Sequence, residues 1–471
     1  MINENRLTLG DCLDVLKFWK KTGLKEFIDL VYIDPPFNSK RNYNIIFDSK
    51  LSERAFGDIW SKTGYLDELD SINELNPSLY KFLKMLEESS IPVGAISYLT
   101  HMAIRCYLIR DMLKPTGSFY YHCDPTMSHY VKIMLDYIFG LGNFRNEIVW
   151  KRYRGKKANA NKFGQNTDTI FYFVKRNDSK VFNGCFTPLN QKYVSTVYVY
   201  DDGDGKGKYR FGGRIRDRKY YLNDSRGTPV MNLWDDINEL NGTNKEMLGY
   251  PTQKPEALLE RIILASSNEG DLVADFFMGG GTTISVAQKL GRRFIGTDIN
   301  GRAIMITKDR LEKLGLVVKK DFIINGIPNS ANELRELINA NVYGRDKNSK
   351  FSLEDVVVRY YLKGVVGNEK KVGDGSIDGR FGFSFKEEQH TGLVQITTGA
   401  GINHFKAFCS EIAKGTGAIG VYITFSDKVT DGMIKEAKSY GKMGGVDKLQ
   451  ILTLEQLIDE RKQYDLPFNL L

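Results

Sequence analysis

The chain has 471 residues, of which 42% are hydrophobic and 12% aromatic. This composition supplies enough apolar surface for a sizeable core, so wholesale disorder is excluded, and the length predicts two to four folding units of about 100–200 residues. The five cysteines are scattered and form no C-x-x-C pair, which argues against a disulfide scaffold or a zinc knuckle and favours a reducing compartment. No apolar run of about 18 residues occurs, so we expect a cytoplasmic protein without a membrane-spanning segment.

The positive charge of the chain is concentrated in one segment. The whole chain carries 66 Lys and Arg against 58 Asp and Glu, a net charge of +8, whereas residues 151–226 carry 18 against 7, a net charge of +11. Tyrosines lie between these cations, and the combination suits contact with the phosphates and grooves of a nucleic acid. A solvated insertion that its charges keep soluble would show the same pattern. The candidate DNA-contacting residues are Lys151, Arg152, Arg154, Lys156, Lys157, Arg214, Arg216 and Arg218.

Strands and helices are predicted to alternate on both sides of this basic segment. Because strands that alternate with helices form βαβ units, we expect an α/β fold with a doubly wound, mostly parallel Rossmann-like sheet. In chain order, the patterns predict strands at 28–33 and 118–122 with a helix at 98–113 between them, then a helix at 255–265, a strand at 272–276, a helix at 282–290 and a strand at 293–297.

The same patterns predict the domain organisation. Residues 1–315 are expected to form the α/β domain, with residues 151–250 inserted as a recognition region. Polar residues around 329–349 indicate a linker, placed at 316–350. Residues 351–471 are then a second, smaller α/β unit.

A glycine-rich stretch, D-F-F-M-G-G-G-T-T at residues 275–283, lies where a predicted strand leads into a helix. Glycines at such a turn let the backbone approach a ligand closely and leave helix N–H groups facing it. Asp298 follows the next predicted strand, where a carboxylate can accept hydrogen bonds from ribose hydroxyls. The spacing indicates a nucleoside-containing cofactor, and the missing G-x-G-x-x-G disfavours a pyrophosphate. A tight turn and a helix cap would account for the same residues without a ligand.

A second motif, Asp34-Pro35-Pro36-Phe37, follows the predicted strand at 28–33. The carboxylate and a proline-fixed carbonyl are two acceptors with little freedom, able to bind both hydrogens of an amino group, while Phe37 offers a face for a planar base. This set suits a nucleobase amine, at the sheet edge where open α/β folds bind ligands. A strand-ending turn with a capping Asp is the alternative.

Together the two motifs resemble those of the amino-type DNA methyltransferases that use S-adenosylmethionine, over residues 1–315. Residues 34–37 are similar to the family's catalytic D-P-P-[YF] tetrad, and Phe277-x-Gly279-x-Gly281 to its cofactor motif F-x-G-x-G. The order of catalytic motif, basic segment and cofactor motif resembles the β group, in which the segment between them recognises the target. The chain departs from the family pattern at Phe276 and Gly280, where Pro and Ser are usual.

The resemblance implies a role for each motif residue. Asp34 would accept charge from the amine of a flipped-out base and Phe37 would stack on that base. Asp11 would contact the adenine of the cofactor, and Thr252-Gln253-Lys254-Pro255 would close the methionine end of its pocket. The implied catalytic residues are Asp34, Pro35, Pro36 and Phe37, and the implied cofactor-binding residues are Asp11, Thr252, Lys254, Asp275, Phe277, Gly279, Gly281, Thr282 and Asp298.

The family chemistry needs no metal, and the five histidines show no ligand spacing, so we expect each of them to be structural. The expected partner is double-stranded DNA, while a cognate restriction endonuclease and a second copy of the chain stay open. Adenine N6 is the favoured target because the tetrad begins with Asp, whereas cytosine-N4 enzymes more often resemble S-P-P-[YF]. RNA and protein-glutamine methyltransferases are a further alternative, which the tetrad disfavours because theirs usually begins with Asn.

The carboxyl-terminal unit resembles Mrr-type restriction nucleases. Its residues 374–379, D-G-S-I-D-G, are followed by a predicted strand that ends at Gln395-Ile396-Thr397. In that family an Asp and a Gln bind a metal, here Asp378 and Gln395, and a Lys activates water. Because Thr397 stands in place of this Lys, we expect an accessory domain that does not cleave DNA, with a combined restriction-modification enzyme and a plain α/β module as the alternatives.

Overall fold

The computed structural model describes most of the chain. The described residues are 4–36, 42–48, 51–57, 65–89, 91–152, 163–212, 218–241, 244, 246–248, 250, 253–328, 330–339, 343–344, 351–362, 364–367, 377–398 and 402–467. None of the helices within these ranges has the length and apolar character needed to cross a membrane.

A nine-stranded sheet forms the centre of the molecule. Its strands, in chain order, are β1 (Asn5–Leu9), β2 (Ile28–Ile33), β3 (Leu113–Cys123), β4 (Phe144–Lys151), β5 (Thr167–Val174), β6 (Leu233–Trp234), β7 (Leu272–Asp275), β8 (Arg293–Asp298) and β9 (Phe322–Asn325). Their order across the sheet is β6-β4-β5-β3-β2-β7-β8-β1-β9. All neighbours are parallel except for β5, which is antiparallel to both β3 and β4. The predicted doubly wound, mostly parallel α/β fold is confirmed.

Helices flank this sheet and the smaller one that follows it. They are α1 (Cys12–Lys21), α2 (Leu66–Leu75), α3 (Pro77–Glu87), α4 (Val93–Met112), α5 (Ser128–Phe139), α6 (Gln191–Val197), α7 (Glu256–Ser266), α8 (Thr282–Lys289), α9 (Gly301–Lys313), α10 (Ala331–Asn339), α11 (Leu353–Val356), α12 (Ile402–Ala413), α13 (Asp431–Ser439) and α14 (Leu454–Ile458). A π-helical turn covers Val357–Tyr361. The predicted helices and strands all lie within a few residues of the observed ones.

The central sheet is covered on both faces because its strands are apolar on both faces. All six residues of β2 are buried, and so are all four of β7. Two hydrophobic clusters result, one containing Leu30 and Tyr32 and the other Val31 and Ile33 of the same strand. Alternation of successive side chains between the faces of a strand explains this division. The strands that carry the two motifs are therefore packed on both faces.

The basic segment differs from a simple insertion. Its residues Thr167–Val174 form β5, and Leu233–Trp234 form the edge strand β6, so part of residues 151–250 belongs to the central sheet. Between these strands lie two small antiparallel pairs, Phe186–Thr187 with Thr228–Pro229 and Tyr209–Gly212 with Arg218–Tyr221. Among the described residues between β5 and β6, residues 175–212 and 218–232 lie outside the central sheet.

The carboxyl-terminal unit has its own five-stranded sheet. Its strands are β10 (Val366–Gly367), β11 (Gly379–Phe385), β12 (Glu388–Ile396), β13 (Ile419–Thr424) and β14 (Leu449–Thr453), in that spatial order. Strands β10 to β12 are antiparallel, and β12 to β14 are parallel with α12 and α13 as their connections. The short pairs elsewhere are Asn42–Asp48 with Leu51–Gly57, Tyr343–Gly344 with Phe351–Ser352, and Lys442–Met443 with Val446–Asp447.

The segment expected to be a linker is structured in part. Residues 316–350 contain β9, which pairs with β1, and helix α10. The backbone N–H of Ala331 donates to Asp459 Oδ1 at 3.0 Å, and Ile304 and Leu311 of α9 share one hydrophobic cluster with Val357 of the second unit. The two units are therefore packed against each other.

Candidate active site

Both sequence motifs lie at the carboxyl edge of the central sheet. Asp34 follows β2, and the glycine-rich loop 276–281 follows β7, which is the neighbour of β2. From β2 the chain continues toward β3 on one side, and from β7 toward β8 on the other. This reversal of direction is the topological switch point, where open α/β sheets form a ligand-binding crevice.

The glycine-rich loop is held to Asp298 by its backbone. The N–H of Gly279 donates to Asp298 Oδ2 at 2.9 Å, and the N–H of Asn300 donates to Oδ1 at 2.8 Å. Each carboxylate oxygen retains capacity for a further donor. Burial raises the pKa of Asp298 to about 6. An acceptor pair that is fixed in this way fits the two hydroxyls of a ribose.

The loop conformation requires glycine at two positions. Gly279 and Gly281 have φ angles of +49° and +71°, in the left-handed region. A Cβ atom on Gly281 would also lie 2.3 Å from Thr307 Oγ1. Arg310 of α9, which is buried, donates to the Gly280 carbonyl at 2.8 Å and to Thr282 Oγ1 at 3.2 Å. These two contacts hold the loop at Gly280, one of the two positions where the chain departs from the family pattern.

Asp275 ends β7 beneath the loop. Its Oδ2 accepts from Thr283 Oγ1 at 2.6 Å, and its Oδ1 accepts from the N–H of Phe277 at 3.0 Å. Burial, together with the nearby negative charge of Asp34, raises the pKa of Asp275 to about 7. Asp275 therefore fixes the positions of the glycine-rich loop and of the start of α8 relative to the end of β7.

Asp11 lies at the same edge, two residues beyond β1. It is the N-cap of α1, where it accepts from the N–H of Leu13 at 2.8 Å, and Arg105 donates to both of its oxygens at 3.0 and 2.8 Å. Its side chain is 44% exposed. The β1 strand is the neighbour of β8, so Asp11 and Asp298 share one end of the crevice.

Asp34 has one paired and one unpaired oxygen. Lys254 Nζ donates to Oδ2, whereas the buried Oδ1 has no hydrogen-bond partner among the described residues. Pro35 is buried beside it. An unpaired carboxylate oxygen in a buried site is costly, so this atom is suited to accept a hydrogen from a ligand. Lys254, expected at the cofactor pocket, lies against the expected catalytic residue.

His122 lies behind Asp34, although sequence reasoning set the histidines aside as structural. Its Nδ1 is 4.0 Å from Asp34 Oδ1, and its Nε2 is 3.1 Å from Asp168 Oδ2. Arg152 Nε, from the basic segment, is 3.2 Å from the same Asp168 oxygen. The sequence signal that could have found His122 is its position at the end of the predicted strand 118–122, next to the strand that leads to Asp34.

The remaining candidate residues divide into two groups. Lys151 ends β4, and Arg218 lies exposed on its short strand with its guanidinium 5.3 Å from the centre of the Tyr220 ring. Phe37, Arg154, Lys156, Lys157, Arg214, Arg216 and Thr252 lie outside the described residues.

The second unit does not gather a metal site among the described residues, where no group of three His, Cys, Asp or Glu side chains could hold a metal ion. Asp378 Oδ2 accepts from the N–H of Ile396 at 2.7 Å, and Gln395 and Thr397 are buried at the end of β12 and just beyond it.

Comparison with known proteins agrees with this geometry. A family model described as DNA methylase matches residues 28–309. The Type II methyltransferase M.HpaI of Haemophilus parainfluenzae is 26% identical over 404 residues, which cover 81% of this chain and 100% of the relative. The DNA adenine methyltransferase YhdJ of Escherichia coli is 27% identical over 288 residues, 61% of this chain and 77% of the relative.

A longer relative is the Mod subunit of the Type III restriction-modification enzyme StyLTI of Salmonella typhimurium, 24% identical over 347 residues. The match covers 61% of this chain and 50% of that subunit. The family match includes Asp34, the glycine-rich loop and Asp298, and it spans more than half of the chain. The protein therefore belongs to the DNA methylase family, whose members methylate DNA with S-adenosylmethionine as the methyl donor.

Proposed function

We propose that the protein transfers the methyl group to the exocyclic N6 of adenine. The single observation that carries transfer to an amino group is Asp34 Oδ1, a buried carboxylate oxygen next to the cofactor loop that has no hydrogen-bond partner within the described part of the chain. An amino group that donates one hydrogen to Oδ1 and the other to the Pro35 carbonyl would supply the missing bond. The nitrogen lone pair would then be withdrawn from the ring and become nucleophilic.

The cofactor residues fit this reaction. Bound S-adenosylmethionine supplies an electrophilic methyl group on sulfur. Asp298 would accept hydrogen bonds from the ribose hydroxyls, and Asp11 would contact the adenine. The backbone of the loop at Gly279 and Gly281 would lie close to the cofactor, because glycine has no side chain in the way. Lys254 would hold the Asp34 carboxylate in place through its contact with Oδ2. Catalysis then consists mainly of orienting two reactants.

The target base must leave the duplex, because its amino group is inaccessible inside the stack. Unstacking costs a few kcal/mol, which contacts with the protein must offset. Phe37 is proposed to stack on the extruded base, and the exposed aromatic and cationic residues within 193–212 and 218–221 are proposed to contact the flanking DNA. The Tyr200 and Phe211 rings, 5.1 Å apart and both partly exposed, offer one such surface.

Cytosine N4 is the second candidate, since the family covers both amines. The Asp at the start of the tetrad favours adenine, and the relative YhdJ carries the name of an adenine methyltransferase. The test is incubation with labelled S-adenosylmethionine and duplex DNA, followed by digestion to nucleosides. Label in N6-methyladenine supports the proposal, whereas label in N4-methylcytosine replaces it with the alternative.

The basic segment is proposed to supply DNA affinity. Changing Lys151, Lys156 and Lys157 to Ala is expected to weaken binding similarly on all sequences and to flatten the salt dependence, by about one unit of slope per lost phosphate contact. Arg152 stays unchanged in this design because it pairs with Asp168. Binding is measured by fluorescence anisotropy at several salt concentrations.

The matched control removes the same charge elsewhere. Lys17, Lys21 and Lys25 are exposed on α1 and on the loop before β2, outside the basic segment. Their triple change to Ala should leave the salt slope at its wild-type value. Equal slopes for the two triple variants would contradict the assignment of residues 151–157 to DNA.

The second unit is proposed to be an accessory domain that does not cleave DNA. Thr397 stands where the Mrr-type nucleases have a lysine. Loss of such an electrostatic group commonly lowers the rate by about 10²–10³. Unmethylated DNA with Mg²⁺ or Mn²⁺ and without S-adenosylmethionine is therefore expected to stay intact. Specific double-strand breaks that vanish in Asp378→Ala would establish a combined restriction-modification enzyme instead. The name of the StyLTI Mod subunit, which is part of a restriction-modification enzyme, supports a separate restriction endonuclease as the functional partner.

A further inference from the structure

A chain of buried polar groups runs from Asp34 into the sheet. His122 on β3 is fully buried, with Nδ1 2.8 Å from the Tyr32 hydroxyl and 4.0 Å from Asp34 Oδ1. Its Nε2 is 3.1 Å from Oδ2 of Asp168, which is also buried and which pairs with Arg152. Nothing in the binding of cofactor or DNA proposed above requires this arrangement. Burying the ionisable side chains of Tyr32, His122 and Asp168 is costly unless they are paired with one another. A buried cluster of this kind beside the proposed catalytic carboxylate points to a function.

The protonation states follow from the contacts. Although burial alone raises it, the His122 hydrogen bond and the Arg152 charge lower the pKa of Asp168 below its usual value. Asp168, held ionised by these contacts, accepts from Nε2–H, and Nδ1 in this tautomer accepts from the Tyr32 hydroxyl. The charged and titratable groups facing this ring are Tyr32 and Asp34 from β2, Asp168 from β5, Arg152 through Asp168 and Lys254 through Asp34.

The reaction releases a proton at this position. As the amine nitrogen forms its bond to the methyl carbon, the S–C bond breaks and its electron pair stays on sulfur. The nitrogen then carries a positive charge and loses one proton to Asp34 Oδ1. A carboxylate is a weak base, so a stronger base beside it would draw the proton away from the product and return it through Asp34 to solvent once the product has left. The atom that faces Oδ1 is His122 Nδ1, and an imidazole is ordinarily the stronger base.

We propose that His122 is a positioning residue that acts through Asp34 by taking up the proton released by methyl transfer, with Asp168 stabilising the imidazolium. Because Nδ1 has a single lone pair, the Tyr32 hydroxyl must rotate away from it for the transfer. Closing the 4.0 Å gap by about 1 Å then gives an ordinary hydrogen bond between Oδ1 and Nδ1. The inference rests on the proposed role of Asp34. It also assigns Arg152 to this internal chain, in addition to its place at the start of the basic segment.

The test is the pH profile of single-turnover methylation at saturating cofactor and DNA. In the wild type, the rate is expected to fall at acidic pH, where protonated His122 cannot accept a proton. His122→Asn keeps a polar atom near the Nδ1 position but cannot carry the charge. It is expected to lower the plateau by about 10²-fold or more and to abolish the acid limb. A plateau within twofold of wild type, or an unchanged acid limb, would overturn the proposal.

Asp168→Asn is a second variant, useful if His122→Asn does not fold. Removing the negative charge makes the imidazolium less favourable, so the acid limb is expected to move to lower pH with a reduced plateau. An acid limb at the wild-type pH in Asp168→Asn contradicts the proposal. His129→Asn, on the exposed face of α5, is the matched control and should retain the wild-type profile.

One further variant separates this inference from the proposed function. Asp34→Ala removes the acceptor of both the amine hydrogen and the proton, and it tests the role of Asp34 alone. Inactive Asp34→Ala beside a His122→Asn enzyme with normal pH dependence would overturn the His122 proposal only. Active Asp34→Ala would overturn the proposed function itself, whatever the result at His122.

Discussion

Changing Asp34 to Ala is expected to abolish methyl transfer while cofactor binding is nearly retained. The carboxylate is proposed to act on the amine of the base, and its unpaired Oδ1 is the atom available for it, whereas the cofactor contacts come from Asp298 and the glycine-rich loop. Transfer to duplex DNA is measured with labelled S-adenosylmethionine, and cofactor affinity by calorimetry. Turnover within about tenfold of wild type, a barrier change of only about 1.4 kcal/mol, would contradict the assignment.

The chain offers a close control for this variant. Asp124 is also followed by a proline and also lies just beyond a strand, β3, which is the neighbour of β2. Its carboxylate is used locally, accepting from the N–H and the Oγ1 of Thr126 at 3.0 and 3.1 Å. Asp124→Ala is therefore expected to keep its methyl transfer activity. Equal losses in both variants would mean that the damage comes from the edge of the sheet and not from the chemistry of Asp34.

Changing Asp298 to Ala is expected to weaken S-adenosylmethionine binding by about 1–3 kcal/mol, the cost of leaving polar partners unpaired. This substitution removes the acceptor of the Gly279 N–H as well as the proposed contact with the ribose. Asp309→Ala, an exposed carboxylate on α9, is the control and should bind normally. An unchanged dissociation constant in Asp298→Ala would place the ribose elsewhere.

The same site predicts a pH dependence of cofactor affinity. Burial raises the pKa of Asp298 to about 6, and hydroxyl donors favour the ionised carboxylate, so cofactor binding should release a proton from it. Affinity is therefore expected to be full above pH 7 and to weaken as the pH falls through about 6. Because Asp275 titrates nearby, the comparison with Asp298→Asn isolates the contribution of Asp298. A wild-type pH dependence in that variant would assign it to another group.

The amino-acid sequence by itself was sufficient for the fold class and for the two motifs. Strands such as β2 and β7 are buried on both faces and read as short apolar runs, and the glycine-rich loop follows its strand directly. Both signals are local, because apolar runs and turn glycines reflect the conformation of neighbouring residues. The predicted elements therefore lie within a few residues of the observed ones, and the resemblance to the amino-type DNA methyltransferases was confirmed.

What the sequence could not provide depends on contacts between distant residues. The edge strands β6 and β9 are short, and their place in the sheet depends on pairing with β4 and β1. Likewise, His122 and Asp168 are separated by 46 residues and meet only because β5 runs antiparallel beside β3. The Lys254 ammonium reaches Asp34 across 220 residues of chain. Local patterns specify strands and turns, but strand order decides which side chains meet, and that order is set by packing of the whole sheet.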